Sequence, residues 1–202
     1  MGSKAASEYY LARTRAKFLI MAAGKPPPTS LPAQHKSACL HACWAMQVAA
    51  WEAYLERLIR EVQQIIADPS HAKLSAVLTL LNLITEVEIK RFNTPNAENS
   101  RNLLIRHTGY DPINDWQWAG EGLSGSQSRQ RLDEILKVRH SFAHGFSIPT
   151  DIAWVKDRNT LGSLNVGTLR SVDSFLSHMV KATDLGMSRH LVTVFGLTKS
   201  GG

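Results

Sequence analysis

The chain has 202 residues, the length of one domain of ordinary size. Hydrophobic residues make up 44% and charged residues 20%, which excludes general disorder and leaves enough apolar surface for a core without a disulfide framework. The 23 Lys and Arg exceed the 17 Asp and Glu by six, but residues 1–36 hold six of the bases and one acid, so the rest of the chain is nearly neutral and is weak evidence for a basic nucleic-acid groove. The two cysteines, Cys39 and Cys43, fit a reducing compartment. No apolar run approaches the roughly 18–20 residues of a membrane span, so a cytoplasmic protein with no membrane partner is expected.

In chain order, residues 4–23 read as a first helix, ended by Gly24. Residues 25–32 follow as a stiff linker carrying Pro26, Pro27, Pro28 and Pro32. Residues 34–67 read as one long helix stopped by Asp68-Pro69. From Cys39 to Ala53 its only polar residues are His41, Gln47 and Glu52, so that half is expected to be buried nearly all round. Beyond it, Leu55, Leu58, Ile59, Val62 and Ile66 form a single stripe, with Glu56 and Arg60 in a favourable i,i+4 order opposite.

A third helix is expected over 71–92, a turn over 92–96, and a short helix over 98–108 that ends near Gly109. Residues 111–126 read as irregular, and the Gly/Ser-rich stretch 120–128 as a flexible loop. Residues 128–144 form a helix closed by Gly145. Residues 146–163 read as loop with extended pieces around 152–155. A last helix fits 165–195, with a break expected at Gly186. With no alternating strand series, the class is all-α: a helical bundle with one long central helix. The expected organisation is an N-terminal helix and proline linker over 1–33, packed on a helical domain over 34–197.

The chemistry concentrates on the helix that ends at Gly145. At about 100° per residue, Leu132, Ile135, Leu136, Phe142 and Ala143 fall on one core face, and Arg139 falls in the middle of it. A guanidinium there must be paired or face a shared, partly wet cleft. His140 and His144 lie on the flank of that stripe, so a fixed cation and two titratable imidazoles converge on one helix end. Glu52 is a candidate carboxylate partner, and His41 shares its helix face. Two zinc arrangements are weaker readings. His140 and His144 have ligand spacing but no third ligand, and Cys39-Leu40-His41-Ala42-Cys43 sits in an apolar setting. No metal or cofactor is therefore expected.

The segment Arg139-His140-Ser141-Phe142-Ala143-His144 resembles the Arg, polar residue, three further residues, His signature of HEPN domains, and Gly145 fits as well. Trp51-Glu52-Ala53-Tyr54 resembles the first core helix of the RiboL-PSP-HEPN and MAE-type groups. Phe92-Asn93-Thr94-Pro95-Asn96 with Asn99, Asn102-Leu103-Leu104 and Gly109 is similar to their middle segment, and Val180, Thr183 and Asp184 to their closing helix. The resemblance spans residues 8–196. It departs from the family at His140, where Asn is commoner.

The resemblance implies a dimeric HEPN-like bundle that brings two copies of the Arg/His motif into one cleft. The implied function is a metal-independent endoribonuclease, a toxin or phage-defence effector, cutting RNA by attack of its own 2′-OH. Arg139 is then the phosphate clamp, His144 the acid/base and His140 a second acid/base or phosphate contact, with Glu52 and Ser141 in support. Expected partners are RNA, a second copy of the chain, and a cognate antitoxin or regulatory protein. The alternative is a non-catalytic HEPN dimer that binds RNA, nucleotide or a protein.

Overall fold

The computed structural model describes residues 2–25, 29–67, 72–145, 148–149, 151–156 and 164–196. Residues 26–28 of the expected proline linker 25–32, the Asp68-Pro69 stop and most of the 146–163 loop lie outside the described residues. The chain is all-α: α1 (Lys4–Ala23), α2 (Ala33–Ile66), α3 (Ala72–Arg91), α4 (Ala97–Thr108), α5 (Gly125–Ala143), α6 (Ala153–Lys156) and α7 (Val166–Phe195). No helix among the described residues is long and apolar enough to cross a membrane.

The long helix α2 is the central rod, and α1, α4, α5 and α7 pack around it. Three tryptophans are fully buried, and each spends its one indole donor on a neighbouring element. Trp44 Nε1 donates to the Ile135 carbonyl of α5 at 3.0 Å. Trp51 Nε1 donates to the Pro95 carbonyl at 3.2 Å. Trp116 Nε1 donates to Thr183 Oγ1 of α7 at 2.9 Å. Tyr54, also buried, donates its hydroxyl to the Val180 carbonyl at 3.3 Å. The Trp-Glu-Ala-Tyr segment and the Val180–Asp184 segment therefore tie the bundle together.

The N-terminal helix is part of this core. Tyr9, Ala16 and Ile20 are buried, and Cys43 Sγ donates to the Ala16 carbonyl at 3.4 Å. The first turn of α1 directs its orphan N–H groups at carboxylates, a favourable placement for a helix start. Ser3 N donates to Asp184 at 3.1 Å and Ala5 N to Glu61 at 2.9 Å. Arg13 grips Asp173 of α7 through both Nε and Nη2, a fork-on-fork contact at 2.5 and 2.6 Å.

The structure differs from the sequence reading at several places. Gly186 does not break α7, which runs through it. A Cβ there would collide with the Tyr110 hydroxyl and the Asp115 carboxylate, so the glycine serves close approach. Helix α5 starts earlier than expected, because Ser124 and Gln127 form a reciprocal capping box. The irregular stretch 111–126 contains two 3-10 turns, and the expected extended piece at 152–155 is replaced by the short helix α6. The apolar half of α2 is not covered all round: Ala42, Ala45 and Ala49 are exposed.

Candidate functional site

Arg139, His140 and His144 gather at the C-terminal end of α5. His144 is the C-cap residue, its N–H bonded to the His140 carbonyl at 3.2 Å, and Gly145 follows in the left-handed region at φ 72°. That glycine stops the helix where the two imidazoles are one turn apart. Their ring centroids are 4.3 Å from one another, and both residues are exposed.

The core face of α5 ends before this point. Leu132, Ile135, Leu136 and Val138 are buried, whereas Ala143 is exposed and Arg139 half-buried. The stripe read as continuous core thus emerges at the molecular surface, and Arg139 sits on its rim. The guanidinium meets water there, which removes the need for a buried counter-charge. No ion pair joins Arg139 to Glu52. The two interact only through charge. Burial and the neighbouring Glu56 push the Glu52 carboxyl up, and Arg139 pulls it part of the way back.

His41 of α2 stacks on Phe142 at 4.0 Å between centroids, with 13° between the planes. Burial lowers its affinity for a proton. Phe142 is two residues from both His140 and His144, about 160° around the helix, so the His41–Phe142 stack lies on the other flank of α5. Ser141 turns inward and donates to the Lys137 carbonyl at 3.1 Å, so it is not brought to the cluster.

Neither zinc arrangement is assembled. Cys43 is fully buried, and burial, with a smaller contribution from Asp173, pushes its thiol up to about 12. A thiol so disfavoured as thiolate is a poor metal ligand. No group of three or more His, Cys, Asp or Glu suited to a metal occurs among the described residues.

A second polar cluster, built on a single histidine, was not legible in the sequence. His107 of α4 is buried between Thr85 Oγ1 at 2.9 Å and Glu88 Oε2 at 2.7 Å, both on α3. Hydroxyl, imidazole and carboxylate in a row suit proton relay. Thr85, however, is 1% exposed and also bonded to Gln63 and the Leu81 carbonyl, so no substrate reaches it. The row is a clamp between α2, α3 and α4. Beside it, a cleft of about 390 Å³ is lined by Arg91, Phe92, Asn93, Asn99, Asn102 and Arg106, among others. Its 92–96 turn is anchored by Trp51, the residue before Glu52.

Comparison of the chain with family models, with curated proteins and with solved structures returns no match. The fold and the site define the class as an all-α helical bundle with an Arg/His cluster on its surface.

Proposed function

We propose that the chain is a metal-independent endoribonuclease of HEPN type, acting as a homodimer in a toxin or phage-defence role. The observation that carries this reading is the placement, at the C-terminal end of α5, of a half-buried Arg139 with two exposed imidazoles 4.3 Å apart. Cleavage by the RNA's own 2′-OH requires a group that takes a proton, a group that returns one to the leaving 5′-oxygen, and a cation on the phosphorane. Imidazole is suited to the first two tasks near neutral pH, and guanidinium, with its planar fork, to the third. His144 and Arg139 take these roles, with His140 as a second acid/base or phosphate contact. A second copy across a two-fold axis completes the cleft. Arg91 and Arg106, with Phe92 between α3 and α4, offer phosphate and base contacts to the same RNA.

The test is cleavage of tRNA, rRNA and mRNA in EDTA, with product ends identified. Cyclic or 3′-phosphate ends are expected. His144→Ala and Arg139→Ala are each expected to lose on the order of 10²–10⁴-fold in rate while keeping the helical signal. Cleavage abolished by chelator, or full activity in His144→Ala, overturns the assignment.

The near-neutral charge of residues 37–202 favours a second reading, a dimer that binds RNA, nucleotide or a protein without cutting. It is distinguished by RNA binding that survives His144→Ala with no cleavage of any RNA by the unmodified protein.

A further inference from the structure

The chain has five tryptophans, and four of them donate the indole N–H to a protein acceptor. Trp44, Trp51 and Trp116 do so in the core, and Trp154 donates to Glu134 Oε2 at 2.6 Å. Trp118 has no acceptor among the described residues. It is half-buried, with one face stacked on His178 at 4.8 Å between centroids and 9° between the planes. An indole held in this way keeps its single donor for another molecule.

Trp118 lines a cavity of about 320 Å³ together with Glu121, Leu123, Arg131, Arg170 and Ser174, among others. Three elements meet there. The first is a closed hairpin: Trp118 N donates to the Leu123 carbonyl at 2.8 Å and Leu123 N to the Trp118 carbonyl at 3.0 Å, around a 3-10 turn at Ala119–Glu121. The second is α5, whose Arg131 guanidinium lies over the Trp154 ring at 4.4 Å from the centroid and is held there by cation–π attraction. The third is α7, on which Arg170 and Ser174 are four residues apart and share one exposed face.

The chemistry of this lining is one-sided. Two guanidinium groups, an indole N–H and a serine hydroxyl are donors, and two like charges on the walls of one cavity favour an anion between them. Among the described residues, Arg170 is in no ion pair and Ser174 in no hydrogen bond. Glu121 is the one acid among the lining residues, and it pairs with neither arginine. A bare anion would be repelled by that carboxylate, whereas a ligand that also carries hydroxyl groups would donate to it.

We propose that this cavity binds a sugar phosphate. Arg170 and Arg131 hold the phosphate, and Ser174 adds a hydroxyl donor. Glu121 accepts from the sugar hydroxyls, the Trp118 N–H donates to a sugar oxygen, and Leu123 covers the apolar face of the ring. The volume lies near the lower end of the roughly 300–1,000 Å³ of small-molecule sites, which suits a ligand smaller than a nucleotide. The inference does not rest on the ribonuclease reading. Arg131 lies about 180° around α5 from His140 and about 14 Å from it along the axis, so the cavity is separate from the Arg/His cluster.

Isothermal titration calorimetry of the full chain with ribose 5-phosphate, glucose 6-phosphate, ribose, inorganic phosphate and AMP tests this. At least one of the two sugar phosphates is expected to bind more tightly than inorganic phosphate, and ribose not measurably. Arg170→Ala is expected to weaken the sugar phosphate on the order of 10–10²-fold with unchanged helical signal, whereas Arg15→Ala, exposed on α1, leaves it as it was. Glu121→Ala is expected to weaken the sugar phosphate and tighten inorganic phosphate, so that the two affinities converge. Failure of both sugar phosphates to bind at millimolar concentration, or binding untouched by Arg170→Ala, overturns the site. Inorganic phosphate bound as tightly as the sugar phosphates overturns the hydroxyl contact. AMP bound more tightly than either overturns the choice of a sugar phosphate over a nucleotide.

Discussion

At Gly186 the lack of a side chain allows the Tyr110 hydroxyl and the Asp115 carboxylate to lie against the backbone of α7, where they bond to one another at 2.6 Å. Gly186→Ala is expected to cost about 1–3 kcal/mol by overpacking, despite alanine's better helix propensity. Tyr110→Phe in the same chain removes the closest clashing atom and is expected to restore part of the loss, a coupling that urea denaturation of the four-member cycle measures. The pH dependence has a definite sign at two histidines. Burial lowers the proton affinity of His41, and it is the largest cause of the lowering at His178. The unfolded chain therefore binds these protons more readily than the folded one. Their contribution is fully present above the ordinary imidazole value near 6.5 and is lost as the pH falls from there through the depressed folded values. Urea midpoints are expected to drop over that window, and His41→Phe with His178→Phe to flatten the drop.

Among the elements, α4 has its boundaries written in local chemistry. Asn96 accepts from Asn99 N at 2.8 Å, and Gly109 closes the helix at φ 72°. Asn96→Ala is expected to cost about 1 kcal/mol, read from the shift of the urea midpoint at unchanged slope. Asp133 of α5 accepts from Ala97 N at 2.8 Å and adds a tertiary contact that no local rule announces. Helix α5 shows the same division at the site. The Arg139, His140 and His144 cluster was legible as residues on neighbouring helix faces, because helical periodicity alone sets their directions. Where the core face of α5 ends was not legible. The wheel places Ala143 beside Leu132, but whether either is covered depends on what packs there.

For the whole molecule, the buried Tyr9, Ala16 and Ile20 make α1 integral to the core. Removing residues 2–24 is expected to abolish cooperative thermal unfolding, followed by circular dichroism. The sequence by itself determined the all-α class, the helix ends at Gly24, Gly109 and Gly145, and the Arg/His cluster at the end of α5. These are set by period, caps and glycines within a few residues of one another. Only the tertiary structure decided that α3 turns its apolar stripe outward, that the alanines of α2 are bare, that Gly186 sits under a tyrosine rather than at a break, and that Arg139 stands on a rim. Each of these is a relation between elements far apart in the chain. Exposure is fixed by which surfaces meet, and helical periodicity does not specify that.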